Sequence, residues 1–212
     1  MEDVLNELFR YGHHECLVTT LGRDGTVNVA PMGVDYMGGY LVIKPYINTK
    51  TYENLLLNNE AVINLTNDSV LYYDSLLNRE GLKFIRSLKV KVPRIDGAVD
   101  YYIECILDRY EHLGKDRAMM FLRPIHIEAG RGSKLAYSRA NTFLLEMLIY
   151  YTKLKAFIEY GDVNEALRAF TKVNYYFNEL VRLKPTEPLV TRAKSLFNET
   201  LNMVYKAILS KT

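Results

Sequence analysis

The chain of 212 residues is predicted to adopt an α+β fold, a small β-barrel followed by a C-terminal all-helical extension. Three observations carry that prediction. Short β-rich runs separated by turn residues fill the first part, one short helix signal interrupts them, and the apolar period becomes helical near residues 130–133. The boundary is drawn between a barrel region, 1–132, and a helical region, 133–212.

The strand elements follow from local chemistry. Runs 15–21 and 26–34 flank Gly22-Arg23-Asp24-Gly25, where Asp-Gly supplies the positive-φ residue of a tight hairpin turn. Met37-Gly38-Gly39 turns the chain into a run over 40–46, and Asn48-Thr49-Lys50-Thr51 reads as a helix start. The leucines of TYENLLLNN can face a core, and Asn58-Asn59 ends that helix before strand character resumes over 61–66. Residues 69–88 contain a helix, with Pro93 stopping what precedes it. Runs 101–112 and 118–129 form a long hairpin around Leu113-Gly114-Lys115-Asp116. About six strands with one short helix between them suit a barrel, in which closure removes exposed edges.

Beyond residue 133, Leu144, Leu145, Leu148, Ile149 and Leu154 line one helical face, and Gly161-Asp162 ends that helix and caps the next. The second helix runs to about Leu183, Pro185 and Pro188 mark a corner, and a third covers 189–209. GDVNEALRAFTKVNYYFNELVRLKP has the rhythm of one tetratricopeptide unit, but a solenoid needs at least three, so a packed helical hairpin is the better reading.

Composition narrows function. Lys plus Arg number 27 and Asp plus Glu 25, and no dense basic stripe marks a nucleic-acid surface. Cys16 and Cys105 sit in apolar runs, as free thiols do in a reducing, cytoplasmic setting, and fit neither a disulfide framework nor a zinc site. The acidic, amphipathic start does not read as a secretory signal, and no apolar run is long enough for a membrane span. His13, His14, His112 and His126 lack cysteines or carboxylates at ligand spacing, so no metal is expected. Glu146 interrupts an apolar helix, seven residues from both Arg139 and Lys153, either of which is a possible partner.

Two stretches carry chemistry. In TVNVAPMGV, Pro31 has no amide hydrogen, which implies an edge, a bulge or a strand that stops pairing. Ala30 and Gly33 are small enough to admit a flat ring beside the backbone, and Met32 offers a soft apolar contact. On the residues alone, a structural bulge is the stronger reading. In NTKTYEN, free amides at a helix start, the Thr49 and Thr51 hydroxyls and the Lys50 ammonium suit an anion such as phosphate, although on the residues alone plain capping by Asn and Thr is the stronger reading.

LVTTLGRDGTVNVAPMGV, IKPYINTKTYENLLLNNEAVINLTND, VPRIDGAVDYYIECIL and SRANTFLLEMLIYYTKL together resemble an archaeal group, domain of unknown function 447, within the FMN-binding split-barrel superfamily. The resemblance spans about residues 16–154. It implies an FMN-binding split β-barrel with a C-terminal all-helical extension, and FMN bound at a homodimer interface. Matched by motif, Asn28, Ala30, Pro31, Met32 and Gly33 would lie along the isoalloxazine or ribityl chain, and Thr49, Lys50, Thr51 and Asn54 near the phosphate. Arg139 and Asn141 would reach the flavin from the helical segment, and Lys153 stands where the group's arginine is expected. The function implied is an FMN-dependent oxidoreductase of flavin reductase-like type, supplied by a nicotinamide or other small-molecule electron donor. The alternatives are a non-catalytic flavin sensor, carrier or assembly protein with a helical interaction tail, or the same barrel holding another flavin-like or haem cofactor.

Overall fold

The computed structural model describes residues 1–10, 13–132, 139–185 and 187–209; Ser133, the expected first residue of the helical region, lies outside them. The chain divides into two compact units, Met1–Lys134 and Leu135–Thr212.

In the first unit, α1 (Glu2–Leu8) leads into the hairpin of β1 (His14–Leu21) and β2 (Val27–Met37), followed by β3 (Tyr40–Ile43), α2 (Lys50–Asn58) and β4 (Glu60–Leu65). Next come α3 (Ser69–Leu77), a single 3-10 turn (Arg79–Gly81), the two-residue strands β5 (Phe84–Ile85) and β6 (Arg94–Ile95), and the long hairpin of β7 (Tyr101–Leu113) and β8 (Arg117–Ala129). Six strands close into an antiparallel barrel in the order β1-β2-β3-β8-β7-β4, while β5 and β6 pair separately. The run expected to reach Tyr46 ends as a strand at Ile43, just before Pro45, which has no amide to donate. The carbonyl of Pro45 still accepts from the Ala118 amide at 3.1 Å, which ties this connection to β8.

Alternation along the strands turns Cys16, Val18, Val34, Leu41, Ile43, Ile63, Ile103, Met120 and Leu122 into a common core. Leu5 and Phe9 from the N-terminal segment and Leu55 from α2 are buried in the same cluster. Each fully buried side chain of this kind is worth about 1.5–3 kcal/mol of transfer free energy. Both thiols are free and buried, and burial pushes each far above its ordinary pKa, so they pack as hydrophobes.

Outside this core, polar side chains of β4 and β7 hold the segment 82–99. Asn64 Oδ1 accepts from the Ile95 amide at 3.0 Å, and the Tyr102 hydroxyl donates to the Ile95 carbonyl at 2.9 Å. Glu104, fully buried, accepts from the amides of Leu88, Lys89 and Val90 at 2.8, 2.6 and 3.1 Å. Such a carboxylate tolerates burial because backbone N–H groups replace its water shell. The tip of this segment is held again by Glu60, which accepts from the Lys91 amide at 2.7 Å.

The second unit consists of α4 (Arg139–Glu159), α5 (Val163–Arg182) and α6 (Leu189–Leu209). Gly161 takes the positive φ (75°) that ends α4, and Asp162 caps α5 by accepting from the Glu165 amide at 3.1 Å. Leu154, Ala166, Ala169 and Val204 form a core, Phe177 stacks on Phe197 at 4.5 Å, and the Tyr151 hydroxyl donates to Glu199 at 2.6 Å. Glu146 forms no ion pair among the described residues, because Arg139 stacks on Phe143 and Lys153 on Tyr150 instead. No helix among the described residues is long and apolar enough to cross a membrane.

Glu104→Ala leaves three backbone amides, that of Val90 buried, without their acceptor and is expected to lower the unfolding free energy by about 3 kcal/mol. Urea titration at constant m-value checks this; an unchanged midpoint would mean that packing alone holds residues 88–90.

Candidate functional site

The hairpin register fixes one end of the barrel. Gly22 and Thr26 close the turn through an N–H···O bond of 2.9 Å, Gly25 adopts φ 81°, and Asp24 accepts from the Thr26 amide at 3.0 Å. That turn sets Thr20 opposite Asn28. The side chain of Asn28 donates to the Thr20 hydroxyl at 3.3 Å and to the Thr51 hydroxyl at 3.1 Å, and Asn54 donates to the Thr20 hydroxyl at 3.1 Å. All four residues are buried. Asn58 adds a bond of 2.6 Å to the Leu21 carbonyl, so α2 is docked on the hairpin by polar contacts along its length.

The start of α2 is open. Thr49 occupies the N-cap with extended geometry, but no side chain caps the helix, because the Thr49 hydroxyl donates backward to the Tyr46 carbonyl at 2.7 Å. First-turn amides therefore keep their capacity to bind an anion, reinforced by the helix dipole. Beside them lies a cleft of about 700 Å³, lined by the turn residues Arg23 and Asp24, by Asn28, by Lys50, Glu53 and Asn54 of α2, and by Arg79. A smaller recess at the α4–α5 turn draws its lining from residues 160–164 alone and gathers no side chains from different elements.

Pro31 does not form the bulge favoured by the residues alone. Pairing of β1 with β2 is continuous from Leu21↔Val27 to His14↔Val34, with Pro31 opposite Leu17. Pairing of β2 with β3, in contrast, covers only Val34 to Met37. Residues 27–33 thus have a strand neighbour on one side, and Pro31 sits on an edge where its missing amide costs no ladder bond. A register shift occurs instead at Pro124 of β8, which faces Cys105 while His126 faces the adjacent Glu104.

Strand alternation also divides the predicted flavin contacts. Met32 packs against the barrel core and Ala30 shares its face, whereas Pro31 and Gly33 point to the opposite face. A Cβ on Gly33 would coincide with the His13 ring. His13 Nδ1 lies 2.8 Å from Asp35 Oδ1, and Lys44 donates to Asp35 Oδ2 at 3.0 Å. Partial burial raises the Asp35 pKa, but the hydrogen bonds from His13 and Lys44 outweigh it and hold the carboxyl below its ordinary value.

Of the residues predicted from sequence, Asn28, Lys50 and Asn54 line one cleft, Thr51 supports it from within, and Thr49 stands at its helix cap. Ala30, Pro31, Met32 and Gly33 follow along the same strand, and Arg139 and Asn141 open α4 in the second unit. Sequence reasoning missed Thr20, although the register set by the Asp-Gly turn places it opposite Asn28. It also missed Arg79, which no local pattern marks. Among the described residues no group of three or more His, Cys, Asp or Glu is arranged to hold a metal.

The family model described as "Protein of unknown function (DUF447) N-terminal domain" matches residues 14–131, more than half of the chain. An FMN-bound protein of family DUF447 from Methanosarcina mazei superposes with a TM-score of 0.66 at 16% identity, over 94% of this chain and 96% of that one. The 2-nitrobenzoate 2-nitroreductase NbaA of Pseudomonas fluorescens superposes with a TM-score of 0.51 at 22% identity, over 61% of this chain and 72% of that one. These likenesses establish the fold, a split barrel with a C-terminal helical part. Among curated sequences, the uncharacterized protein YdfE of Bacillus subtilis is 34% identical over 65 residues, 30% of this chain and 31% of YdfE. The chain therefore spans about a third of that relative's length.

Gly33→Ala is expected to displace the His13 ring and remove one of the two hydrogen bonds that depress Asp35. Stability contributed by a depressed carboxyl is fully present above the unfolded value, about 3.9, and is lost as pH falls through the folded value. The stability difference between the unaltered and Gly33→Ala proteins should therefore narrow between about pH 7 and about pH 3. Urea midpoints at the two pH values check this, and a gap that widens on acidification contradicts it.

Proposed function

The chain belongs to the DUF447 N-terminal-domain family, and from that premise and the cleft at the start of α2 we propose that it is a cytoplasmic, FMN-binding flavoprotein acting as an oxidoreductase. The observation that carries the proposal is the uncapped first turn of α2 opening on the cleft, with the Asn28–Thr20–Thr51–Asn54 cluster fixed behind it. This donor set suits a phosphate monoester: backbone amides at a helix start behind the Thr49 N-cap, an ammonium on Lys50, and the side-chain amide of Asn54. The one-sided edge of β2 suits the rest of the cofactor, since Pro31 and Gly33 present little bulk beside free backbone groups. The bound FMN of the Methanosarcina mazei relative supports this choice of ligand.

In this reading the barrel region, 1–132, binds the phosphate and the flavin ring, and Arg139 and Asn141 of the helical region, 133–212, add contacts. A second copy of the chain completes the pocket as a homodimer. FMN, when bound, supplies two-electron chemistry, with a nicotinamide or other small-molecule donor as the source of hydride. The residues of the chain bind, orient and exclude water. A second reading, a flavin carrier or assembly protein, is favoured by the exposed aromatic side chains of the helical unit: Tyr160, Tyr175 and Tyr205 are 79%, 57% and 62% exposed.

Purified protein incubated with FMN is expected to acquire bound-flavin absorbance, and Lys50→Ala to weaken affinity about 10- to 100-fold, the worth of one charge-assisted contact. Failure of the unaltered protein to take up flavin overturns the proposal. Rapid turnover with NADH or NADPH and an electron acceptor selects the oxidoreductase, whereas bound FMN without turnover selects the carrier.

A further inference from the structure

We propose that Arg79, on the 3-10 turn that follows α3, is a specificity-determining residue of the cleft that binds the phosphate and makes the site prefer FMN to riboflavin. The inference rests on the flavin reading above and adds to it a residue from a different part of the chain.

Charge distribution within the cleft points to it. Three cations, Arg23, Lys50 and Arg79, line the cleft together with two carboxylates, Asp24 and Glu53. Lys50 is poorly placed to neutralise a phosphate alone, because its ammonium is already 3.0 Å from Glu53 Oε2 and its side chain is 74% exposed. A phosphate monoester carries about −1.5 to −2 charges at neutral pH. The Lys50–Glu53 pair leaves that charge largely unmatched, so the remaining compensation falls to the arginines.

Arg79 is distinguished from Arg23 by its anchoring. Its Nε donates to the Ser75 carbonyl at 3.1 Å, which ties the guanidinium to the last turns of α3. Asp68 caps that helix through the Val70 amide at 2.9 Å, and the Tyr72 hydroxyl fastens it to the Glu15 carbonyl of β1 at 2.7 Å. The two Nη groups make no hydrogen bond or ion pair among the described residues, and Arg79, itself exposed, is part of the cleft lining. A planar fork held at Nε, with two free Nη groups, is the form in which arginine recognises phosphate oxygens, and lysine cannot reproduce it. Arg23, in contrast, stands on the hairpin turn with no partner among the described residues to orient it.

The test compares the unaltered protein, Arg79→Ala and Arg79→Lys by titration with FMN, riboflavin and inorganic phosphate, with melting temperature as the folding control. Arg79→Ala is expected to raise the Kd for FMN at least 10-fold, leave the Kd for riboflavin within 2-fold, and abolish protection by inorganic phosphate. Arg79→Lys is expected to fall between the two proteins, and it replaces Arg79→Ala should the latter fail to fold. Equal FMN affinity in all three proteins overturns the proposal, as does an equal loss for FMN and riboflavin. Should the unaltered protein bind no flavin yet bind phosphate in an Arg79-dependent way, the flavin reading falls and the phosphate role of Arg79 stands.

Discussion

A β-strand must satisfy backbone groups on both of its sides, and residues 27–33 of β2, which have a strand neighbour on one side alone, run from the cleft. That one-sided stretch organises the candidate site. β1 follows β2 without a break, while β3 joins only from Val34 onward, so a single strand changes from edge to interior at Gly33. Pro31 is compatible with the edge and would not be with the interior. The long connection from β3 through α2 to β4 then brings the helix start to the turn end of the same hairpin.

Two sets of buried polar groups in the barrel are matched by backbone or by short side chains. Asn64 and Glu104 serve the segment 82–99 in this way, and Thr20 receives two amide donors at the cleft. The difference between the two sets is orientation. Glu104 spends its acceptors on amides of its own chain, whereas the first-turn amides of α2 meet no side-chain acceptor. Satisfied groups make the scaffold, and the unsatisfied helix start makes the candidate site.

Much of this was legible in the sequence, and for identifiable reasons. The Asp-Gly turn set the β1–β2 register, and the polar run ahead of TYENLLLNN marked the start of α2. Gly161-Asp162 located the α4–α5 corner. What could not be read depended on tertiary pairing. Proline forbids a ladder bond but does not say whether the strand bulges or lies at an edge, and the choice at Pro31 was decided by where β3 ends. Pro124, with the same chemistry, took the bulge. Arg79 and Glu104 gave no local signal because their partners lie in other segments: the cleft residues for one, the 88–90 amides for the other.

The Thr20 hydroxyl is a junction. It joins the hairpin to α2 while the side chains that meet there, Asn28 and Asn54, also border the cleft. Recognition and architecture therefore share the same atoms. A ligand arriving at this end of the barrel meets groups whose rotamers folding has already frozen, so little conformational entropy remains to be lost on association. By the same coupling, drift in this cluster is constrained twice, since a substitution that alters ligand preference there also unsettles the docking of the helix.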